Sequence, residues 1–107
     1  MKFKVLSLLA LSPIVWATPQ EGTVIKMEFG PATGATIHVD MSFNNSTPCA
    51  NNSNGYDYSF NINTEIGKTM FATFLAAQRS KSNIKVSGTG NCGINSNTED
   101  IRWIQSK

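Results

Sequence analysis

One histidine, two cysteines and seven carboxylates are the side chains with which this 107-residue chain would have to do chemistry. A lone histidine, His38, excludes a metal site or catalytic pair built on two imidazoles. It alternates with Thr36 and Asp40 on the polar side of a strand, so it reads as a solvated residue. Asp40 and Asp57 both fall on polar strand faces and approach each other if their strands pair. Two facing carboxylates are the equipment of glycoside hydrolysis. Nothing around them in the sequence builds a deep pocket. Gly88-Thr89-Gly90 lacks the flanks of a phosphate loop and reads as a turn. No catalytic residue, metal ligand set or cofactor motif emerges, and a non-enzymatic protein is expected.

The cysteines depend on where the chain works. Residues 1–17, MKFKVLSLLALSPIVWA, have the form of an export signal. Lys2 and Lys4 supply the basic start, residues 5–15 the apolar stretch, and Val15-Trp16-Ala17 the site for cleavage after Ala17. The apolar run is too short to span a bilayer. The expected mature domain is a single unit, residues 18–107, secreted or periplasmic. In an oxidising compartment Cys49 and Cys92 pair by default. A metal site or a reactive thiol is the alternative, and ligands for the former are scarce.

Removing the signal also changes the charge. The chain carries nine Lys/Arg against seven Asp/Glu. Lys2 and Lys4 account for the excess, which leaves the mature part formally neutral. A nucleic-acid binder shows a basic stripe, and none is present. Neutrality also weakens self-repulsion and permits self-association.

The elements that must position these residues follow from periodicity. Residues 23–29 alternate, with Ile25, Met27 and Phe29 on one face and Lys26 and Glu28 on the other. A Gly/Pro turn at 30–34 leads to a second alternating run, 35–43, so the two predict a hairpin. Residues 44–55, NNSTPCANNSNG, form a polar loop, with N-x-S/T sequons at Asn44, Asn45 and Asn51. A third strand, 56–62, carries Tyr56, Tyr58, Phe60 and Ile62 on one face. The period then becomes helical over 65–80, with Thr64 as N-cap and Glu65 in the first turn. Short strands at 84–87 and 101–105 close the chain around a second polar loop, 93–100. The expected order is β-β-β-α-β-β: mostly β, one helix, five strands, one disulfide.

Bulky apolar side chains cover about half the helix circumference, a wide face for a small sheet. The other half carries Thr69, Ala72, Thr73 and Ala76, small enough for another backbone to approach. Two readings stand: a wide buried face with a solvated back, or a helix buried both on its own sheet and on a neighbouring subunit. The Cys49–Cys92 link would join two Asn-rich loops whose amides donate and accept in pairs, as sugar hydroxyls require. Tyr56, Asp57, Tyr58, Asn95 and Asn97 are the candidate glycan contacts.

The stretch from Cys49 through YDYSFNI, the helix EIGKTMFATFLAAQRS, NIKVSGTGNC and EDIRWI resembles the binding (B) subunits of pentameric bacterial toxins, of the subtilase-cytotoxin and pertussis kind and more remotely the cholera kind. The resemblance implies a small OB-like barrel, a homopentamer with its helices around a central pore, cell-surface glycans as ligands and an enzymatic A subunit as partner. Where cholera-type subunits carry a sugar-stacking tryptophan two residues after the second cysteine, this chain has Ile94. The competing expectation is a monomeric periplasmic or secreted inhibitor or accessory protein that binds an envelope protein, with the loop GINSNTED as its contact.

Overall fold

The computed structural model describes residues 18–45, 49 and 52–107. The export signal and the sequon at Asn51 lie outside the described residues. The elements run β1 (Gln20–Gly22), β2 (Val24–Gly30), a 3-10 turn (Pro31–Thr33), β3 (Gly34–Met41), β4 (Tyr58–Asn61), α1 (Glu65–Ser80), β5 (Ile84–Gly88) and β6 (Glu99–Ser106). The chain is thus mostly β with one helix, as expected, but has six strands rather than five. The extra strand, β1, is three residues long and reads in the sequence only as a polar lead-in.

All six strands form one sheet in the order β1-β5-β6-β4-β3-β2. Neighbours are antiparallel except β4 and β6, which run parallel with Tyr58 opposite Glu99. The two edge strands, β1 and β2, are separated in the chain by Thr23 alone. The sheet must therefore curl until its edges meet, which makes a partly closed barrel. Thr23 seals the corner by donating its N–H to Ser42 Oγ (2.9 Å) and accepting the Ser42 N–H (2.8 Å).

The β2–β3 hairpin departs from the simple alternation. Val24 faces Met41 and Lys26 faces Asp40, so two residues of β2 oppose one of β3. This bulge turns Ile25 outward, 53 % exposed, where unbroken alternation would bury it. Met27 stays against the core. Phe29 is at the rim, with its ring edge-on to Phe71 at 5.0 Å. The hairpin turns at Gly34, whose positive φ of 62° suits glycine.

Inside the curl lies one core: Val24, Ile37, Val39, Met41, Tyr58, Phe60, Phe74, Ala77, Ile84 and Val86. Helix α1 supplies Phe74, fully buried and stacked on Phe60 at 5.6 Å. The helix has the predicted bounds for the predicted reasons. Thr64 Oγ1 accepts the Gly67 N–H (2.9 Å), and Lys81 ends the helix in a left-handed conformation. Gly67 is required by packing: a Cβ there would run into the Asn61 carbonyl at the end of β4.

Candidate functional site

The outer face of β3 and β4 is polar in sequence, and its centre, His38 and Ser59, is covered in the fold. The cover is the pair of Asn-rich loops, held together by the Cys49–Cys92 disulfide, with Cα atoms 5.6 Å apart. Glu99, at the start of β6, adds a second tie. Its carboxylate is fully buried and accepts the Asn45 side-chain amide (2.9 Å) and the Gly90 N–H (2.7 Å). A third contact joins the loop tips, where Ser53 Oγ donates to Asn97 Oδ1 (2.7 Å).

This cover corrects the expectation for His38. It is not solvated; it lies buried beneath the loops, with Nδ1 2.8 Å from Ser59 Oγ on the facing strand. Ser59 in turn shares a hydrogen bond with Thr98. A His–Ser hydrogen bond is the start of a nucleophile–base pair. Ser59 is fully buried, so a substrate carbonyl cannot reach it. The chain His38–Ser59–Thr98 serves instead to bind the second loop to the sheet.

Asp57 is the hub of the surface. Its backbone N–H donates to Val39 O (2.8 Å) and its carboxylate accepts the Met41 N–H (2.8 Å), so it straddles Asp40. Its other oxygen accepts from Asn52 Nδ2 (3.2 Å), and its carbonyl accepts the Glu99 N–H (3.1 Å). Burial, and then the Asp40 carboxylate, push its pKa up to about 6 against the opposing effect of the Met41 N–H. Tyr58 also titrates above the usual phenol range, through burial first and then the charges of Glu99 and Asp57.

The predicted glycan residues therefore divide. Tyr58 is a core residue, 1 % exposed, and Asp57 is buried beneath the first loop. Tyr56 was expected on the same face as Tyr58 but precedes the strand, which begins only at Tyr58. It is half-buried against His38 (ring centroids 5.7 Å), with the Lys26 ammonium 4.9 Å from its centroid. Asn95 and Asn97 are half-buried in the second loop; Asn95 Oδ1 accepts the Asn97 N–H (2.8 Å). The fold thus brings Asn97 to the loop that leads into Tyr56, and directs Asp57 and Tyr58 inward. Lys26 was missed as part of this surface. Its place across the hairpin from Asp40 is the signal that could have found it. The sequons divide too: Asn44 is exposed, whereas Asn45 is buried with its amide on Glu99.

A separate surface lies on α1. Thr69, Ala72, Thr73 and Ala76 line a shallow groove of about 610 Å³ that ends at Ser106 and Lys107. The threonine hydroxyls are satisfied within the helix, on Glu65 O and Thr69 O. Beside it, Ile66, Met70, Ile101, Trp103 and Ile104 line a second, apolar recess of about 370 Å³. Ile66 is 66 % exposed, so the wide apolar face of the helix is only partly covered by its own sheet. Among the described residues no three His, Cys, Asp or Glu side chains gather as metal ligands, and no helix is long and apolar enough to cross a membrane.

No family model, curated protein or solved structure matches this chain.

Proposed function

We propose that this chain is a secreted, non-enzymatic glycan-binding domain that works as a homo-oligomer, in the manner of a toxin B subunit. The observation that carries this reading is Tyr56: a half-buried ring beside Lys26, at the junction of two amide-rich loops fixed by a disulfide. An aromatic ring offers an apolar face to the C–H side of a sugar, and side-chain amides answer its hydroxyls. A ring of copies presenting such sites together supplies avidity. The partly uncovered α1 face supports the second half of the reading, with another copy as its occupant. The curled six-stranded sheet with its parallel β4–β6 pair supports an OB-like description. The disulfide suits an oxidising compartment.

Two measurements test the reading. Light scattering on the oxidised mature protein is expected to give a stable multiple of the chain mass, near five. Ala72→Arg or Ala76→Arg is expected to reduce it to a folded monomer, since both side chains are exposed in the single chain. A wild-type monomer at high concentration overturns the oligomer and turns attention to an envelope-protein partner. On a glycan array, Tyr56→Ala is expected to weaken binding at least tenfold, about 1.4 kcal/mol per site, with the melting temperature little changed. Unaltered binding would remove Tyr56 from the site.

A further inference from the structure

We propose that Asn54–Gly55 is a covalent modification site, where the asparagine loses its amide through a cyclic imide and leaves a carboxylate beside Lys26 and Tyr56. The effect on binding rests on the reading of that surface as the ligand site; the reaction itself does not.

Three asparagines are set in the same way. The side-chain oxygens of Asn54, Asn61 and Asn95 each accept the N–H two residues on, from Tyr56 (3.1 Å), Asn63 (2.7 Å) and Asn97 (2.8 Å). Such a turn folds the carboxamide back along the chain, and the donated N–H polarises its carbonyl. The peptide nitrogen between the two ends is the nucleophile for imide formation. After Asn61 it belongs to Ile62 and after Asn95 to Ser96, whose side chains crowd the approach. After Asn54 it belongs to Gly55, the one glycine that follows an asparagine in the chain. Asn54 and Gly55 are both exposed. Among the described residues, the atom nearest the place a Gly55 side chain would occupy is Lys26 Nζ, at 3.8 Å. That ammonium favours the negative charge that develops on the nitrogen and the carboxamide oxygen. The Gly55 N–H donates to Asn52 O (2.9 Å), so this one bond opens first.

The Gly55 nitrogen gives its proton to hydroxide and bonds to Asn54 Cγ. The Cγ–Nδ2 bond breaks, and ammonia leaves with a proton taken from water. A second water opens the imide, at Cγ to give aspartate or at the backbone carbonyl to give isoaspartate. In sum, asparagine and water become a carboxylate and ammonium, with no oxidant or reductant. Either product puts an anion one residue from the point that Lys26 approaches. It competes with the Tyr56 ring, now 4.9 Å from the ammonium, for that cation. Isoaspartate also lengthens the main chain by one methylene just before Tyr56, and so shifts the ring.

The test is to incubate the oxidised mature protein at mildly alkaline pH and body temperature, then localise the change by fragment-ion mass spectrometry. A gain of about 1 Da is expected at residue 54, divided between aspartate and isoaspartate, at a rate about tenfold that at Asn61 or Asn95. Asn54→Gln, which would need a larger ring, is expected to stay unmodified there. An intact Asn54, or one converted no faster than Asn61 and Asn95, overturns the site. On a glycan array the converted protein is expected to bind about tenfold more weakly than fresh protein, while Asn54→Gln is unaltered by the same incubation. Conversion with undiminished binding overturns the effect on the surface. The mass readout involves no glycan, so its failure leaves the proposed function standing, and failure of fresh protein to bind any glycan leaves the modification site standing.

Discussion

Replacing Cys49 and Cys92 by serine is expected to lower the unfolding free energy by roughly 4 kcal/mol, the chain-entropy value for a cross-link of this span. The two residues are separated by 43 positions, and the bridge joins two loops of polar sequence. A domain of this size holds roughly 5–15 kcal/mol in all. The loss is therefore a large share of the total. Urea titration of the double variant, beside the wild type with and without reductant, checks it. The wild type in reductant should match the variant. An unchanged midpoint would mean that Glu99 and the Ser53–Asn97 contact restrain the loops without the cross-link.

Glu99→Ala has the second large effect expected, a loss of roughly 3 kcal/mol. The carboxylate is the acceptor for both the Asn45 amide and the Gly90 N–H, and it is fully buried. Truncation leaves two donors inside the protein, of which Asn45 keeps only a longer bond to Asp57 O, 3.3 Å. Glu99→Gln retains the shape and an acceptor oxygen and should cost about half as much. Equilibrium denaturation gives the difference. If alanine is tolerated within about 0.5 kcal/mol, in the range of ordinary surface substitutions, the loops do not depend on this anchor.

The helix was legible because its signals are local. Thr64, Glu65, the 3.6-residue period and Arg79 all lie within one continuous stretch, and the observed helix has the expected ends. The hairpin was legible for the same reason, apart from Ile25. A bulge adds one residue without disturbing the apparent alternation, so the sequence pattern cannot reveal it. Strand β1 was missed because three polar residues have no period; they are a strand only because Ile84–Val86 stands opposite.

The candidate site was half legible. The loop composition and the two cysteines pointed to one surface, and Tyr56 and Asn97 are on it. His38 and Asp57 were misread for one reason. Alternation separates the two faces of a sheet, but not whether the polar face meets water or another part of the chain. Here Asn45, Asn52 and Thr98 come from loops and cover that face, which is a tertiary fact. The approach of Asp40 and Asp57 was foreseen from strand pairing; the side chains that hold them were not.

The meeting of the sheet's two edges at Thr23 has a kinetic counterpart. Strand β1 comes first among the described elements, yet its partner is β5, more than sixty residues later. The parallel β4–β6 pair likewise waits for residues 99–100. A chain emerging from its amino end can make the hairpin and the helix early, but cannot complete the sheet until almost all of it has emerged. Such non-local pairing slows folding to the millisecond-to-second range. The contacts that close the sheet need its last strands, so a polypeptide threaded through a channel would remain open until its final strand is free.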